Sequence, residues 1–243
     1  MTEGEGGGET VVVVEDAPAI ARALRAALTA RGYRPVIAST GQAGIDAAAT
    51  EDPATIILDL GLPDMDGSEV CRRVRSWSDV PIIVLTAVDD ERRKIAALDD
   101  GADDYITKPF STPELLARLR VAVRRNRALR GAAADPTGSS AVLTVGALVV
   151  DVAHHRVELD GERIELTPKE FGFLELMARF PGRVLTHRAI LQEVWGPEYG
   201  SETQYLRVYA SQLRKKLHED PAHPRVITEP GVGYRLVDPD APD

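Results

Sequence analysis

Bare β-branched runs alternate with amphipathic stretches over the first half of the chain. Thr10–Val14, Pro35–Ala38, Thr55–Leu58, Pro81–Leu85 and Tyr105–Ile106 hold almost no polar positions. Such runs predict strands of a parallel sheet covered on both faces. Between them lie Ala19–Ala30, Gln42–Ala49, Ser68–Arg75, Glu91–Leu98 and Pro113–Arg125, with apolar residues at helical spacing. Five βα units in succession predict a flavodoxin-like, doubly wound (βα)5 domain of the α/β class over residues 10–130.

The pattern then changes. Residues 142–166 alternate in short extended runs around an Asp160-Gly161 turn. Thr167-Pro-Lys-Glu170 has the form of a capping box with proline at the first helical position, and predicts a helix to about Arg179, stopped by Pro181-Gly182. Thr186 caps a second predicted helix ending near Trp195. After a loop at Gly196–Ser201, a third helix spans about Thr203–Leu217. VITEPGVGYRLV at 226–237 predicts a hairpin with a glycine turn. A small sheet, three helices and a terminal hairpin describe an α+β winged helix-turn-helix domain over residues 142–237. GAAADPTGSSA (131–141) is expected to be a flexible linker, and residues 1–9 a disordered acidic tail.

Composition narrows the classes of function. The longest apolar runs fall far short of a membrane span, the N-terminus lacks a signal-peptide pattern, and the single cysteine, Cys71, excludes an intrachain disulfide. A cytoplasmic protein without membrane contact is expected. The net charge is −9, divided as −4 over residues 1–130 and −5 over the rest. Any nucleic-acid surface must therefore be a local patch. Residues 203–218 supply one: Arg207, Arg214, Lys215 and Lys216 with no carboxylate among them.

In a doubly wound sheet, ligands sit beyond the carboxyl ends of the strands. The residues there are Glu15-Asp16, Asp59, Thr86 and Lys108-Pro109. Three carboxylates together repel one another, and Mg²⁺ with its preference for oxygen ligands is the natural compensation. Such a pocket suits phosphoryl transfer to Asp59 as a carboxylate nucleophile. Lys108 would pair with the phosphoryl oxygens, and the Thr86 hydroxyl would donate to another. Single acids at strand ends often serve only as helix caps, and Asp16 before Pro18 has that alternative. Asp64-Met-Asp66-Gly67 is read as a turn and helix cap rather than a calcium loop. Cys71 is read as a small packing residue.

VVVVED, LDLGLPDMDG, IIVLTA and GADDYITKPF resemble the receiver domain of bacterial response regulators over residues 10–130. LTPKEFGFLELM, GRVLTHRAILQEVWG, YASQLRKKL and ITEPGVGYRL resemble the effector domain of the OmpR/PhoB class. Within that class, RSWSDVPIIVLTA, KIAALDDGADDY, VWGP and YLRVY look most like regulators of potassium-transport operons. The resemblance implies that a sensor histidine kinase phosphorylates Asp59. It implies Mg²⁺ held by Asp16, Asp59 and the Gly61 carbonyl, with Glu15 acting through water. It also implies Thr86 and Tyr105 as a switch pair and a cis peptide before Pro109. The phosphorylated homodimer would form through Lys94–Glu114 and Asp104–Arg118 pairs across a two-fold axis, bind double-stranded promoter DNA and act on RNA polymerase.

The third helix of the effector domain has two faces by periodicity alone. Leu206, Tyr209, Ala210, Leu213 and Leu217 share one stripe; Gln204, Arg207, Ser211, Arg214, Lys215 and His218 lie opposite. A cationic, hydrogen-bonding face suits the major groove. Certain members of the class place a minor-groove arginine in the hairpin. Pro230 stands there in this chain, which leaves Arg225 and Arg235 as phosphate contacts. Two other outputs compete with a DNA-binding switch. An aspartyl phosphatase of the Asp-x-Asp type is disfavoured because Leu-Gly follows Asp59, so no free-standing enzyme is expected. An RNA-binding or protein-binding output is disfavoured by the third helix and hairpin.

Overall fold

A computed structural model of the chain describes residues 8–87, 91–134, 142–200 and 202–241. It resolves two compact units, Met1–Ala128 and Leu129–Asp243.

The first unit is a five-stranded parallel sheet in the order β2-β1-β3-β4-β5. The strands are β1 (Thr10–Val14), β2 (Arg34–Ala38), β3 (Thr55–Asp59), β4 (Ile82–Ala87) and β5 (Asp104–Lys108). Helices α1 (Pro18–Thr29), α2 (Gly41–Thr50), α3 (Gly67–Arg75), α4 (Glu91–Asp99) and α5 (Thr112–Ala134) connect and follow them. Val11, Val13, Ile57, Ile83, Leu85 and Ile106 pack with Leu24 and Leu28 of α1 and Leu115, Leu116 and Leu119 of α5. Alternate residues Val12, Val14, Ile56, Leu58, Ile82 and Val84 are also buried. On that side a Cβ on Gly44 of α2 would lie 2.5 Å from Val14 Cγ2. Both sheet faces are thus covered, which is why the strands read as unbroken apolar runs. Each fully buried Val or Ile contributes about 1.5–3 kcal/mol.

Several polar groups brace this unit. The Arg75 guanidinium, at the end of α3, donates to the carbonyls of Gly101 (2.8 Å), Ser78 (3.0 Å) and Val80 (2.6 Å) and pairs with Asp103. The Asp103 carboxylate also accepts from the Ile82 amide at 2.9 Å. One half-buried arginine so ties α3 to the starts of β4 and β5. Buried Cys71 packs on α3, and burial pushes its thiol up to about 12. The native chain is expected to leave an aromatic disulfide reagent unreacted until denatured; reaction at a free-thiol rate in native buffer would contradict that placement.

The second unit opens with a four-stranded antiparallel sheet of β6 (Val142–Val145), β7 (Leu148–Asp151), β8 (Arg156–Leu159) and β9 (Glu162–Ile164). Asp160 (φ 54°) and Gly161 (φ 80°) form the tight turn between β8 and β9. Then come α6 (Pro168–Ala178), β10 (Leu185–Thr186), α7 (His187–Val194), α8 (Thr203–Lys216), β11 (Val226–Glu229) and β12 (Gly233–Leu236). The last hairpin joins β10 in a three-stranded sheet of order β10-β12-β11. The Thr167–Glu170 capping box forms at the start of α6, and Thr186 caps α7 by accepting from the Ala189 amide at 3.2 Å. The helices pack around Phe173, Trp195, Tyr205 and Tyr209, all fully buried.

The expected end of the last receiver helix is corrected. Helix α5 continues to Ala134 instead of ending near Arg125, because Arg-Ala-Leu-Arg-Gly-Ala-Ala-Ala is rich in strong helix formers despite one glycine. Only residues 135–141 of the expected linker fall outside the described residues, as do residues 1–7 of the expected tail. Gly8 and Glu9 are described: Glu9 accepts the Arg34 amide at 2.9 Å and pairs with Arg127. His154 and His155 lie in the turn between β7 and β8. His155 takes φ 48°, and its ring lies 4.4 Å from that of Phe171.

Candidate functional site

The parallel register sets the acidic pocket. Val14 lies beside Leu58, Asp59 beside Leu85, and Thr86 beside Thr107. The ends of β1, β3, β4 and β5 therefore form one rim. Carboxylate oxygens of Glu15, Asp16 and Asp59 lie within 4.8 Å of one another. Glu15 is buried, Asp59 half-buried and Asp16 exposed. Lys108 reaches between two of them, with Nζ 2.8 Å from Glu15 Oε2 and 2.9 Å from Asp59 Oδ2. Burial alone would lower the Lys108 pKa, but the hydrogen bonds and charges of Asp59 and Glu15 outweigh it and hold the ammonium above its ordinary value. The second Glu15 oxygen accepts from the Ala17 amide at 3.1 Å. Asp16 is not a helix cap: the cap residue of α1 is Ala17, without any side-chain hydrogen bond, and Pro18 begins the helix.

Thr86 is 2 % exposed, and its Oγ1 has no hydrogen-bond partner among the described residues. An orphan hydroxyl is costly to bury and marks a place where an acceptor is expected. Tyr105, on the neighbouring strand, is buried, with Lys94 Nζ 5.5 Å from its ring centroid. The Lys108–Pro109 peptide is cis, as expected.

The loop after Asp59 is held from two sides. Asp66 caps α3 through the Ser68 amide at 2.9 Å. Asp64 instead accepts the Gly41 and Gln42 amides at 2.7 and 3.0 Å, so it caps α2, a different helix. Those backbone hydrogen bonds, Gln42 first, hold its carboxyl below the usual range. Gly61 is exposed beside Asp59 and bridges to Asp66. Gly67 is a positioning residue that sequence reasoning missed. A Cβ there would lie 2.6 Å from the Asp59 carbonyl oxygen and 2.7 Å from Leu60 Cα. Its signal was the glycine at the first position of a helix, where a small residue is otherwise unneeded.

In the effector unit, all five apolar-stripe residues of α8 are buried. Arg207, Ser211, Lys215 and His218 are exposed and Gln204 is half-buried. Arg214 faces another way: its guanidinium donates to the Val226 carbonyl (3.0 and 2.8 Å) and to Thr228 Oγ1 (2.6 Å), bracing β11. Arg235 pairs with Glu229 across the hairpin at 2.7 Å. Arg225 is 8 % exposed, with Asp238 and Asp240 at 3.9 and 3.8 Å, so its expected phosphate contact is corrected to a buried structural role. Two residues in the first turn of α6 do more than the sequence indicated. Lys169 Nζ caps the end of α7 through the Val194 carbonyl at 2.9 Å, and Glu170 receives Lys216 of α8 at 2.6 Å.

The residues expected at a dimer surface also lie close together within the chain. Arg118 pairs with Asp104 at 3.1 Å and with Glu114, one turn away, at 3.5 Å. Any pairing with a second copy would have to exchange with these contacts.

Residues 11–120 match the family described as response regulator receiver domain, and residues 161–236 the family described as transcriptional regulatory protein, C terminal. The transcriptional regulatory protein KdpE of Mycobacterium tuberculosis is 50 % identical over 227 residues, 93 % of this chain and 98 % of that protein. The chain belongs to the OmpR/PhoB class of two-component response regulators. The KDP operon transcriptional regulatory protein KdpE of Escherichia coli K12 is 49 % identical over 228 residues, again 93 % of this chain and 98 % of that one. Among solved structures, a mutant form of RitR matches with a TM-score of 0.75 and 26 % identity, covering 95 % of this chain and all of that one. As a response regulator, the chain joins a receiver to a DNA-binding effector domain, and the acidic cluster lies in the receiver. No helix among the described residues is long and apolar enough to cross a membrane.

Proposed function

We propose that Asp59 accepts a phosphoryl group from a sensor histidine kinase and that the phosphorylated chain dimerises on promoter DNA of potassium-transport genes, where it acts on RNA polymerase. The observation that carries the chemistry is the meeting of three carboxylates, one ammonium and one orphan hydroxyl at a single rim. The donor set is all oxygen, which fits Mg²⁺ better than a softer ion, with Glu15, Asp16, Asp59 and the Gly61 carbonyl as holders. When bound, Mg²⁺ supplies positive charge that offsets the three carboxylates and the incoming phosphoryl oxygens.

A carboxylate oxygen of Asp59 forms the new O–P bond as the P–N bond to the kinase phosphohistidine breaks, and the imidazole, already protonated on its other ring nitrogen, takes the bonding pair and leaves as the neutral ring. Lys108, already within reach of Asp59, turns from Glu15 and Asp59 to the phosphoryl oxygens. The Thr86 hydroxyl gains the acceptor it lacks. Its displacement towards the phosphoryl group opens space beside Tyr105, and that pair is the switch. A dimer then forms through Lys94, Asp104, Glu114 and Arg118. Pairing across the dimer competes with the Asp104–Arg118 pair inside the chain, so the net gain is modest and reversing Lys94 to Glu should weaken the phosphorylated dimer by severalfold. Reversing Glu114 as well should restore it. Sedimentation equilibrium decides; an unchanged dimer constant in the Lys94→Glu chain removes this interface.

For DNA, the exposed Arg207 and Ser211 are assigned to base edges, Lys215 and Arg235 to phosphates, and Gln204 to either. Arg214 contributes by fixing β11 as well as by any phosphate contact of its outer nitrogen. Arg207→Ala should cost about 1–3 kcal/mol of discrimination, whereas Lys215→Ala should weaken all duplexes alike and reduce the salt slope by about one unit. A salt titration on specific and scrambled duplexes separates the two; an Arg207→Ala chain that keeps its specific-to-nonspecific ratio puts the base-reading element elsewhere.

The potassium regulon rests on the two KdpE relatives near half identity over the whole length. A duplex from upstream of a potassium-transport operon should bind the phosphorylated chain roughly a thousandfold more tightly than a scrambled one. Equal binding of the two would remove that regulon from the proposal and leave the class intact.

A further inference from the structure

Four arginines that phosphoryl transfer does not use surround one concavity in the receiver. It has a volume of about 430 Å³ and is walled by Arg31 and Tyr33 of the α1–β2 turn, by Arg120, Arg124 and Arg127 of α5, and by Glu9 just before β1. The backbone makes this juxtaposition. Gly32 turns with φ 80°, and Gly8 crosses it so closely that a Cβ on Gly8 would strike the Gly32 carbonyl oxygen. Arg120, Arg124 and Arg127 recur at helical spacing along α5. Arg127 is paired with Glu9. Arg31, Arg120 and Arg124 are exposed, and their guanidiniums form no ion pair or hydrogen bond among the described residues. Tyr33 is half-buried between them. Desolvation, then the Glu9 charge, raises its pKa, while Arg120, Arg127 and Arg31 act in the opposite direction. Arg31, Arg120 and Arg127 therefore bear on the Tyr33 hydroxyl.

We propose that this concavity binds a small anion carrying two or more adjoining phosphates. Four guanidiniums against one carboxylate leave an excess of positive charge around one hollow in a receiver that is acidic overall, and an anion in that hollow would offset it. Guanidinium forks match phosphate oxygens two at a time, and several such forks around one hollow fit a chain of phosphates better than a single one. The hollow is of the size that seats a small ligand. Duplex DNA presents a convex backbone and would meet the rim rather than the interior, so a free polyphosphate or nucleotide is favoured over nucleic acid. Glu9 opposes the ligand and sets the affinity by competing for Arg127.

The test is calorimetric titration of the full chain with sodium tripolyphosphate, ATP and orthophosphate in magnesium-free buffer, which leaves the acidic pocket without a phosphate-binding cation. Saturable one-to-one binding of tripolyphosphate is expected, weaker for orthophosphate. ATP binding more tightly than tripolyphosphate assigns a nucleotide; equal binding assigns inorganic polyphosphate. Arg31→Ala with Arg124→Ala should weaken binding by about tenfold per arginine, and Glu9→Gln should strengthen it. These are exposed side chains, and an unchanged circular dichroism spectrum and melting temperature check the fold. Unsaturable heats, or the same affinity in the double variant, overturn the site. Loss of binding in an Arg207→Ala chain would place the phosphates on α8 and equally overturn it. Displacement by unrelated duplex, with the duplex itself depending on Arg31 and Arg124, would make the patch a nucleic-acid contact instead.

Discussion

Asp59→Asn should take up no phosphoryl label from acetyl phosphate and Mg²⁺, while the wild-type chain labels to near stoichiometry. Asparagine keeps the volume and the approach to Lys108 but replaces the nucleophilic carboxylate oxygen with an amide. The neighbouring carboxylates cannot substitute easily: Glu15 is buried, with one oxygen on Lys108 and the other on the Ala17 amide, and Asp16 is exposed at the edge of the rim. The loss should thus be essentially complete, several orders of magnitude in rate. Labelling of Asp59→Asn at the wild-type rate would move the phosphoacceptor to another residue. Thermal melting of the variant should stay near that of wild type, since it removes one of three clustered negative charges.

Gly233→Ala should have the largest effect on the effector domain. A Cβ at Gly233 would lie 1.8 Å from the Leu185 carbonyl oxygen and 3.0 Å from Thr186 Cα. Both atoms are backbone, so no side chain can rotate away. β10 must separate from β12, and with it the pairing of Leu185 to Tyr234 and Thr186 to Gly233. The expected cost is about 3 kcal/mol, the upper end of overpacking. Gly200→Ala is the control: nothing lies within 4 Å of its added Cβ, and the change should stay within about 0.5 kcal/mol. Differential scanning calorimetry should show the loss in Gly233→Ala only. Duplex binding should fall with it while phosphoryl uptake at Asp59 persists. Equal melting of the two variants would mean that β10 does not hold the hairpin.

The strand ends were legible because a buried parallel sheet leaves almost nothing polar except at its functional rim. Glu15, Asp16, Asp59, Thr86 and Lys108 stood out against apolar neighbours for that reason. The capping box, the Asp160-Gly161 turn and the two faces of α8 were legible because each depends on residues within one or two turns of chain. What depended on distant partners was not. β10 is two residues long and is a strand only because β12 pairs with it. Periodicity placed Arg214 on the polar face of α8, but the carbonyl of Val226 captures it. Arg225 looked like an exposed cation and is buried. Asp64 sits one turn before α3 and caps α2. Gly67 matters through the backbone of Leu60, which no spacing rule reveals. The arginine hollow combines residues 31, 120, 124 and 127, and only the return of α5 along α1 and β1 brings them together.

The central claim is that phosphorylation of Asp59 controls DNA binding. It is tested most directly by titrating one duplex carrying two half-sites with wild type and Asp59→Asn, each before and after treatment with acetyl phosphate and Mg²⁺. Treated wild type should gain affinity by roughly tenfold or more, as expected when a dimer engages both half-sites at once, and Asp59→Asn should gain nothing. An equal gain in both proteins, or no gain in a wild type that carries stoichiometric phosphate, would contradict the account.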